Sequence, residues 1–392
     1  MLAKNNAKNA TWLSVAFSLF NVISKGEEEM EEILNDPNIQ VDDIKTENLS
    51  CPTCGAYLIF SPKKQCLYCE HCGYEQAIEP NGSVQEISLA EGIAVISNWN
   101  DSAKMYSCEN CGAKVLLENG ETAASCPFCG TPHIIESEEL PGLRPNAILP
   151  FKQSKEDAED FALTWAKKKL FAPSNFKKRA AVEGLSGVYA PCFTFDSDTR
   201  STYVGVLGKY YTVTVGSGKD RRTETRVRYF SVSGNYNQFF DDLVYEVSPM
   251  INQKIYEKMG SFPLKTAVVY DDKYMSGYCS NYYERDMNSC WEDAKKDIDG
   301  IIRKNIVKQY NADVVQSLNV QTIHLNVTYK YVLVPVYVGK FYYKNKLYNF
   351  YESGITGKVT GKYPVSPLRV IVAILIGLGL VGLAALFIFL FG

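Results

Sequence analysis

Eight of the twelve cysteines stand in four Cys-x-x-Cys pairs, and these pairs make up two equal sets. The spacer between the inner cysteines has the same length in both sets, and all four cysteines of the first set recur at one constant offset in the second. Four thiolates at this spacing are typical of a tetrahedral Zn2+ site, with Zn–S distances of ~2.3 Å. The sequence therefore predicts two structural zinc ions. The predicted ligands are Cys51, Cys54, Cys69 and Cys72 for the first ion and Cys108, Cys111, Cys126 and Cys129 for the second.

Two other uses of these cysteines stay open at the level of sequence. They could form disulfides, or they could hold an iron centre of the rubredoxin type, whose knuckles have a similar pattern. Cys66 also forms a Cys-x-x-Cys pair with Cys69 and could compete as a ligand. The residue at the equivalent position of the second set is Ala123, so the repeat favours Cys69 with Cys72. His71 lies inside the second knuckle and is interpreted as a bystander.

The cysteine repeat also indicates how the chain is divided. A unit of about 30 residues buries too little surface to fold alone, so the metal must act as its core. A glycine follows the second cysteine of every pair, as a tight knuckle with positive φ requires. We expect a flexible acidic lead-in at 1–47, ribbons at 48–80 and 104–136, an α+β domain at 146–366 and a helix at 368–392.

The lead-in carries most of the acidic excess of the chain. Residues 26–50 contain nine acidic residues against Lys45 and show no apolar periodicity. The apolar run at 12–23 resembles a signal peptide, but no cleavage site follows it, and export would place zinc thiolates in an oxidising space. Residues 25–29 are what a purine-rich ribosome-binding site would encode in frame, so Met30 is a candidate for the natural start.

Two helices are predicted in the α+β domain. Ser154 with Asp157 forms a capping box in front of an amphipathic helix that ends before Pro173. Ser289 with Glu292 predicts the start of a second helix in the same way.

Strands are predicted around and between these helices. Residues 209–215 and 222–229 alternate with period two and flank a glycine-rich turn, which predicts a hairpin. Pro191 and Pro335 each lie inside a strand pattern, and proline in a strand favours an edge or a bulge. The order helix, proline-containing strand and hairpin occurs twice, which suggests two duplicated halves.

The C-terminal residues predict a membrane span. Residues 370–392 carry no charge, and as an α-helix they would extend about 35 Å, against a bilayer core of ~30 Å. Lys358, Lys362 and Arg369 precede this run, so the positive-inside rule places the bulk of the chain in the cytoplasm. The predicted localisation is the cell membrane, single-pass, with lipid contact through this helix.

The expected fold class is a multidomain α+β protein. It consists of two tandem small β zinc ribbons, a mixed helix and antiparallel-sheet domain, and one C-terminal transmembrane helix.

With the cysteine pairs, the strands at Pro191 and Pro335 and the segment 342–364, the chain resembles the bacterial TFIIB-type zinc-ribbon membrane proteins of Firmicutes. The resemblance runs from about residue 48 to the end. Relatives are often labelled primosomal helicase-like, and some are associated with envelope-stress proteins. The resemblance implies a membrane-tethered zinc protein and supplies no catalytic residues.

Helicase and other enzymatic activities are not expected from the residues. A helicase needs G-x-x-x-x-G-K-[ST] to hold phosphates, whereas the Gly-Lys pairs at 218 and 361 are followed by Asp220 and Tyr363. Sites made of four thiolates are closed and leave no open position for a substrate. No motif connects the remaining histidines and cysteines into a catalytic group. These residues are His71, His133, His324, Cys66, Cys192, Cys279 and Cys290.

Nucleic-acid binding by the ribbons is kept as the alternative function. Each ribbon has two lysines, against three acidic residues in the first and four in the second, so neither offers the positive surface that phosphates need. Basic side chains occur instead at 167–169 and at Arg222, Arg226 and Arg228, where a solvated face or contact with anionic lipid would explain them. We therefore expect a non-enzymatic, cytoplasm-facing adaptor that binds protein partners, with no small-molecule substrate.

Overall fold

The computed structural model describes residues 49–79, 82–90, 103–117, 125–132, 134–137, 143–179, 184–260 and 262–391. These residues belong to one compact unit, Asn48–Gly392. The predicted acidic lead-in at 1–47, including Met30, lies outside the described residues, as does His133.

Strands make up most of the regular structure. Fifteen strands occur in the described residues: β1 Ile59–Ser61, β2 Cys66–Tyr68, β3 Glu75–Ala77, β4 Ile87–Ser88, β5 Lys104–Cys108, β6 Lys114–Leu117, β7 Ile134–Ser137, β8 Ala147–Ile148, β9 Leu185–Val215, β10 Arg222–Glu246, β11 Val268–Val269, β12 Cys279–Asn281, β13 Val314–Tyr343, β14 Lys346–Ser353 and β15 Val359–Gly361. The first three form a small sheet of their own, and the other twelve form one large sheet.

Three very long strands form the centre of the large sheet. β9 has 31 residues and pairs antiparallel with β13 on one side and with β10 on the other. The predicted hairpin at 209–215 and 222–229 is confirmed as the far end of this structure, with Val215 opposite Arg222 and Lys209 opposite Arg228. The three strands extend well beyond the rest of the sheet, and we call residues 198–240 and 314–325 of this extension the finger.

The predicted fold class is wrong in its description of the sheet. β12 runs parallel to β9, and β8 runs parallel to β13, so the sheet is mixed and not antiparallel. β6 pairs with β12, which joins the strands of the second cysteine repeat, β5 to β7, to the large sheet. The second ribbon therefore forms one edge of the main sheet, because its strand β6 pairs with β12.

The two strand prolines lie in the middle of the sheet, not at an edge. β12 pairs with β9 as far as Tyr189 and β10 pairs with it from Cys192, so Pro191 falls between the two partners. In the same way, Pro335 on β13 falls between the partner strands β8 and β14. A residue without an N–H is tolerated at such a point because no ladder hydrogen bond is lost there.

Five α-helices and three short 3-10 helices accompany the sheet in the described residues. The α-helices are α1 Lys155–Lys167, α2 Ser174–Arg179, α3 Gln253–Met259, α4 Met287–Gln309 and α5 Pro367–Phe391, and the 3-10 helices are Gly218–Asp220, Leu264–Thr266 and Asp272–Met275. The capping box of Ser154 and Asp157 is confirmed at the start of α1. The start predicted at Ser289 is three residues late, because Asp286 is the N-cap of α4 and accepts from the Ser289 N–H.

Three apolar clusters hold the large sheet together. α4 packs Ile298, Ile302 and Ile306 against one face of the finger. α1 buries a row of alanines against Phe151 and Phe350, and Phe60 of the first ribbon joins that cluster. The third cluster combines buried residues of the second ribbon with the middle of β9 and β13. Both ribbons are thus docked on the sheet.

The predicted membrane span is corrected by the structure. Among the helices of the described residues, none is both long enough and apolar enough to cross a bilayer. The transmembrane helix at 368–392, the tail anchor, the lipid contact through that helix and the cell-membrane localisation are therefore withdrawn.

Candidate metal centres

The structure brings the eight predicted cysteines together as two tetrads. In the first tetrad Cys51 Sγ lies 3.4 Å from Cys72 Sγ, and Cys54 Sγ lies 3.5 Å from Cys69 Sγ. In each tetrad the four sulfurs all lie within 4.8 Å of one another. All twelve cysteines of the chain are free thiols, so the disulfide alternative is not adopted.

The spacing of the sulfurs fits a tetrahedral metal. Zn–S distances of ~2.3 Å place the sulfurs of a tetrahedral site about 3.8 Å apart. The second tetrad comes near this value, with 3.6 Å between Cys108 Sγ and Cys129 Sγ and 3.6 Å between Cys111 Sγ and Cys126 Sγ. The two tetrads could therefore each hold a metal ion, in agreement with the prediction of two zinc ions.

Each tetrad is built from two knuckles with the same backbone. The glycine after the second cysteine of a pair donates its N–H to the carbonyl of the first, as in Gly55 to Cys51 at 2.8 Å and Gly112 to Cys108 at 2.9 Å. All four of these glycines have φ between 74° and 78°, a region that other residues rarely occupy. The sequence repeat thus encodes four equal turns that aim eight sulfurs at two points.

The pKa values of the thiols in the first tetrad indicate why four thiolates need a bound cation. Desolvation opposes ionisation of Cys51, but backbone N–H groups of Thr53 and Cys54 lower its pKa to about 6. The backbone N–H of Tyr74 favours the thiolate of Cys72, yet desolvation and the other thiols of the tetrad raise its pKa to about 12. One thiol of the tetrad ionises easily, but its negative charge opposes ionisation of the other thiols. Four thiolates therefore require a bound cation that neutralises their charge.

The two tetrads differ in burial. Cys54 and Cys72 of the first tetrad are exposed, whereas three cysteines of the second are buried and Cys111 is half-buried. The first tetrad closes over a small core of its own, formed with Leu58 and Leu67. The second tetrad belongs to a cluster that continues into β9 and β13. Sequence alone made the two sites look equivalent.

Cys66, Cys192, Cys290 and His324 belong to neither tetrad. Cys66 lies buried on β2, and desolvation raises the pKa of its thiol. Cys192 and Cys290 are buried too, and burial raises the pKa of Cys290 to about 12. His324 packs edge-on against Trp291, and burial lowers its pKa. None of these residues meets another in an arrangement that would activate a nucleophile.

A further acidic group was missed by the sequence reading. Carboxylate oxygens of Asp196, Asp241 and Asp242 lie within 4.8 Å of one another. Two lysines neutralise them: Lys330 Nζ lies 2.8 Å from Asp242, and Lys265 Nζ lies 2.9 Å from Asp241. We interpret the group as an ion-pair network, because these lysines already supply positive charge. Only the register of β9, β10 and β13 brings the residues together, so no spacing in the sequence signals it.

The basic features predicted from the sequence are both on the surface. Lys169 covers the ring of Trp165, with Nζ 4.6 Å from its centroid, while Lys167 and Lys168 are exposed. Arg222 and Arg226 share one face of β10, and both pair with Glu224 between them, at 2.9 and 3.1 Å.

The comparisons with known proteins give little beyond these observations. The chain is 27% identical to the uncharacterized protein YdjG of Bacillus subtilis (strain 168) over 319 residues, which cover 81% of this chain and 89% of YdjG. No family model and no solved structure matches the chain.

Proposed function

We propose that this protein is a zinc-dependent scaffold that binds an extended, acidic segment of a protein partner along β10. The observation that carries the proposal is the free edge of that strand. Within the described residues, β10 pairs with β9 only, over the whole stretch from Arg222 to Glu246. Gln253 bonds the backbone of Val244 and Glu246 at the end of the strand, and the edge from Arg222 to Phe240 offers a row of N–H and C=O groups to which another strand can add.

The side chains next to this edge suggest what kind of segment would bind. The outward face of the finger is neutral and polar where β10 presents Ser231, Ser233, Asn235 and Asn237, all exposed. Small, neutral residues of this kind allow another strand to pair with β10 whatever side chains that strand carries. Phe239, 57% exposed, lies at the end of this row and supplies an apolar contact. These features favour an extended peptide, because the exposed row follows the length of the strand.

The tip of the finger adds a preference for negative charge. Lys209 lies opposite Arg228, and Tyr211 lies opposite Arg226, on one face of the β9–β10 hairpin. Arg228 packs over the Tyr211 ring at 5.2 Å, which holds the guanidinium in place while leaving its N–H groups available. Glu224 balances only part of this charge, so the tip attracts acidic side chains.

The metal sites fit a supporting role in this proposal. Each is a closed set of four thiolates, which stabilises a fold and does not bind a substrate. We therefore propose that the protein is not an enzyme. The tetrads also support the zinc-ribbon part of the resemblance to the TFIIB-type proteins, which remains a proposal.

Site-specific cross-linking tests the proposed surface. A photo-cross-linking residue at Tyr229, 50% exposed on the finger, should capture an acidic, extended segment of a partner, whereas the same residue at Phe161, 40% exposed on α1, should not. In purified protein, a poly-glutamate peptide serves as the defined probe. The double variant Arg226→Glu/Arg228→Glu should weaken its binding at least tenfold, and the control Lys167→Glu/Lys168→Glu should leave it unchanged.

Two results would refute the proposal. One is equal binding of poly-glutamate by the wild type and by both double variants. The other is binding of single-stranded oligothymidylate in place of the peptide, with loss in the Arg226→Glu/Arg228→Glu variant, which would favour the alternative of nucleic-acid binding.

A further inference from the structure

Lys340 lies under the second tetrad in an unusual environment for a lysine. It stands on β13 and is only 8% exposed. Its Nζ lies 3.3 Å from the carbonyl oxygen of Cys126 and 3.4 Å from Ser186 Oγ. The side chain runs past Gly130, the knuckle glycine after Cys129, where a Cβ would lie in ordinary van der Waals contact with Lys340 Cδ at 3.8 Å.

Within the part of the chain that the structure describes, no carboxylate pairs with this ammonium group. Every ion pair of the described residues joins other side chains, and none includes Lys340. A buried cation without an anion is strongly destabilising. Lys340 Nζ contacts the second tetrad itself, through the carbonyl oxygen of Cys126.

A metal-loaded tetrad would supply that anion. Four thiolates around one divalent cation carry a formal charge of about −2. A loaded site therefore places a compensating negative charge beside Lys340.

A second side chain of β13 reaches the same knuckle. The hydroxyl of Tyr342 donates to the carbonyl oxygen of Cys129 at 2.7 Å. Lys340 and Tyr342 are two residues apart on one strand, so both side chains point to the same side of the sheet. They fix the knuckle 126–130 against β13.

We propose that Lys340 is a positioning residue for the second metal site: its charge offsets that of the metal–thiolate group and makes docking of the 126–130 knuckle on the sheet depend on metal occupancy. Partner residues around metal ligands commonly change metal affinity by about 10–100-fold. The inference rests on metal in the second tetrad and not on the binding of an acidic segment, so either proposal can fail without the other.

The first tetrad provides a control within the same molecule. Gly73 is the counterpart of Gly130 in the repeat, and no atom lies within 4 Å of a Cβ placed there. The cations of the first ribbon are occupied elsewhere, since Lys64 pairs with Glu75 and Lys63 with Asp157. A residue that acts through the second site should leave the first site unchanged.

Zinc release to a chromogenic chelator tests the proposal in the full-length protein. The Cys54→Ser/Cys72→Ser variant removes the first site and identifies the release phase of the second. Lys340→Met, which keeps the length and loses the charge, should accelerate release from the second site about tenfold and leave release from the first unchanged. Lys340→Arg, which keeps the charge, should stay close to wild type, and Tyr342→Phe should accelerate release by a smaller factor.

Two further measurements separate charge compensation from a loss of packing. After Co2+ substitution, the sulfur-to-cobalt charge-transfer band of the second site should shift in Lys340→Met but not in Lys340→Arg. Removal of zinc should raise hydrogen exchange at 126–130 and 184–188 in the wild type. If Lys340→Met fails to fold, Lys340→Arg and Tyr342→Phe still carry the test.

Three outcomes would overturn the inference. They are equal zinc release by wild type and Lys340→Met, equal acceleration at both sites, and an effect of Lys340→Arg as large as that of Lys340→Met. Absence of zinc from the wild type would remove the metal assignment itself.

Discussion

Glu352 is the buried acid whose removal should have the clearest effect on stability. It lies on β14 opposite Tyr337 and is 0% exposed. Neither carboxylate oxygen has a hydrogen-bond partner in the described part of the chain. Burial raises the pKa of this carboxyl from its ordinary value of 4.5 to about 9, so the acid is neutral in the folded protein at pH 7. The perturbation we consider is Glu352→Gln, which keeps the shape and cannot ionise.

The sign and size of the effect follow from proton linkage. The unfolded chain releases the proton near pH 4.5 and the folded protein near 9, so the folded state binds more protons between these values and loses stability as the pH rises through them. Each pH unit is worth ~1.4 kcal/mol, which amounts to about 3 kcal/mol at pH 7. The buried amide of the glutamine lacks a hydrogen-bond partner, which costs ~1–3 kcal/mol and offsets part of this stabilisation.

Denaturation as a function of pH measures this prediction. The difference in unfolding free energy between Glu352→Gln and wild type should grow by about 1.4 kcal/mol per pH unit from pH 5 to 8 in favour of the variant. Zinc binding cancels in this difference, because both proteins have the same tetrads. Glu257→Gln, at an exposed position on α3, is the matched control and should show no such slope. A difference that does not depend on pH would refute the reasoning, because Glu352 would then be ionised or paired in the folded protein.

Three further predictions concern the metal sites, the ion-pair network and the packing of the sheet. Cys54→Ser and Cys111→Ser should each lower the zinc content of the protein from two ions to one. Cys111→Ser should lower the melting temperature of the main sheet more than Cys54→Ser does, because the second ribbon is continuous with that sheet. Equal decreases in melting temperature would contradict this prediction. Lys330→Met should destabilise the protein by about 3–5 kcal/mol in chemical denaturation at pH 7, since it leaves Asp242, Glu86 and Asp196 without the cation they share, at 2.8, 3.0 and 3.8 Å. This loss of stability should be smaller at pH 5, because burial raises the pKa of Asp196 to about 6 and its carboxyl group is then protonated. The control Lys254→Met, at an exposed position, should have little effect on stability at either pH. Gly339→Ala should destabilise by about 3 kcal/mol or prevent folding, since its Cβ would meet the Phe350 ring, whereas Gly300→Ala on α4, where no atom lies within 4 Å, should stabilise by ~0.5–1 kcal/mol.

Local patterns were predicted well because the signals that set them are close together in the chain. The capping box at Ser154 and the hairpin that joins Val215 to Arg222 depend on a few neighbouring residues, and the structure shows both. The start of α4 was misplaced because Ser289 and Asp286 both offer an N-cap oxygen, and only Asp286 accepts the N–H three residues on. Pro191 and Pro335 were expected at an edge or a bulge, because a sequence does not show where a strand changes its partner.

The long-range arrangement was not predictable in the same way. β12 has three residues and no distinctive pattern, yet its pairing with β6 and β9 joins the second ribbon to the main sheet. The apolar composition of 370–392 predicted a membrane span that the helices of the described residues do not provide.

The sequence alone determined the two sets of four cysteines, because spacing and repetition are properties of the chain, and the knuckle glycines with positive φ follow from the same local pattern. Only the tertiary structure made the two sites different. It left Cys54 and Cys72 exposed in the first, and it placed Lys340 and Tyr342, which are distant in the chain, against the second. The physical reason is that charge compensation and burial depend on which strands become neighbours, and this depends on pairings between distant residues that no local pattern encodes.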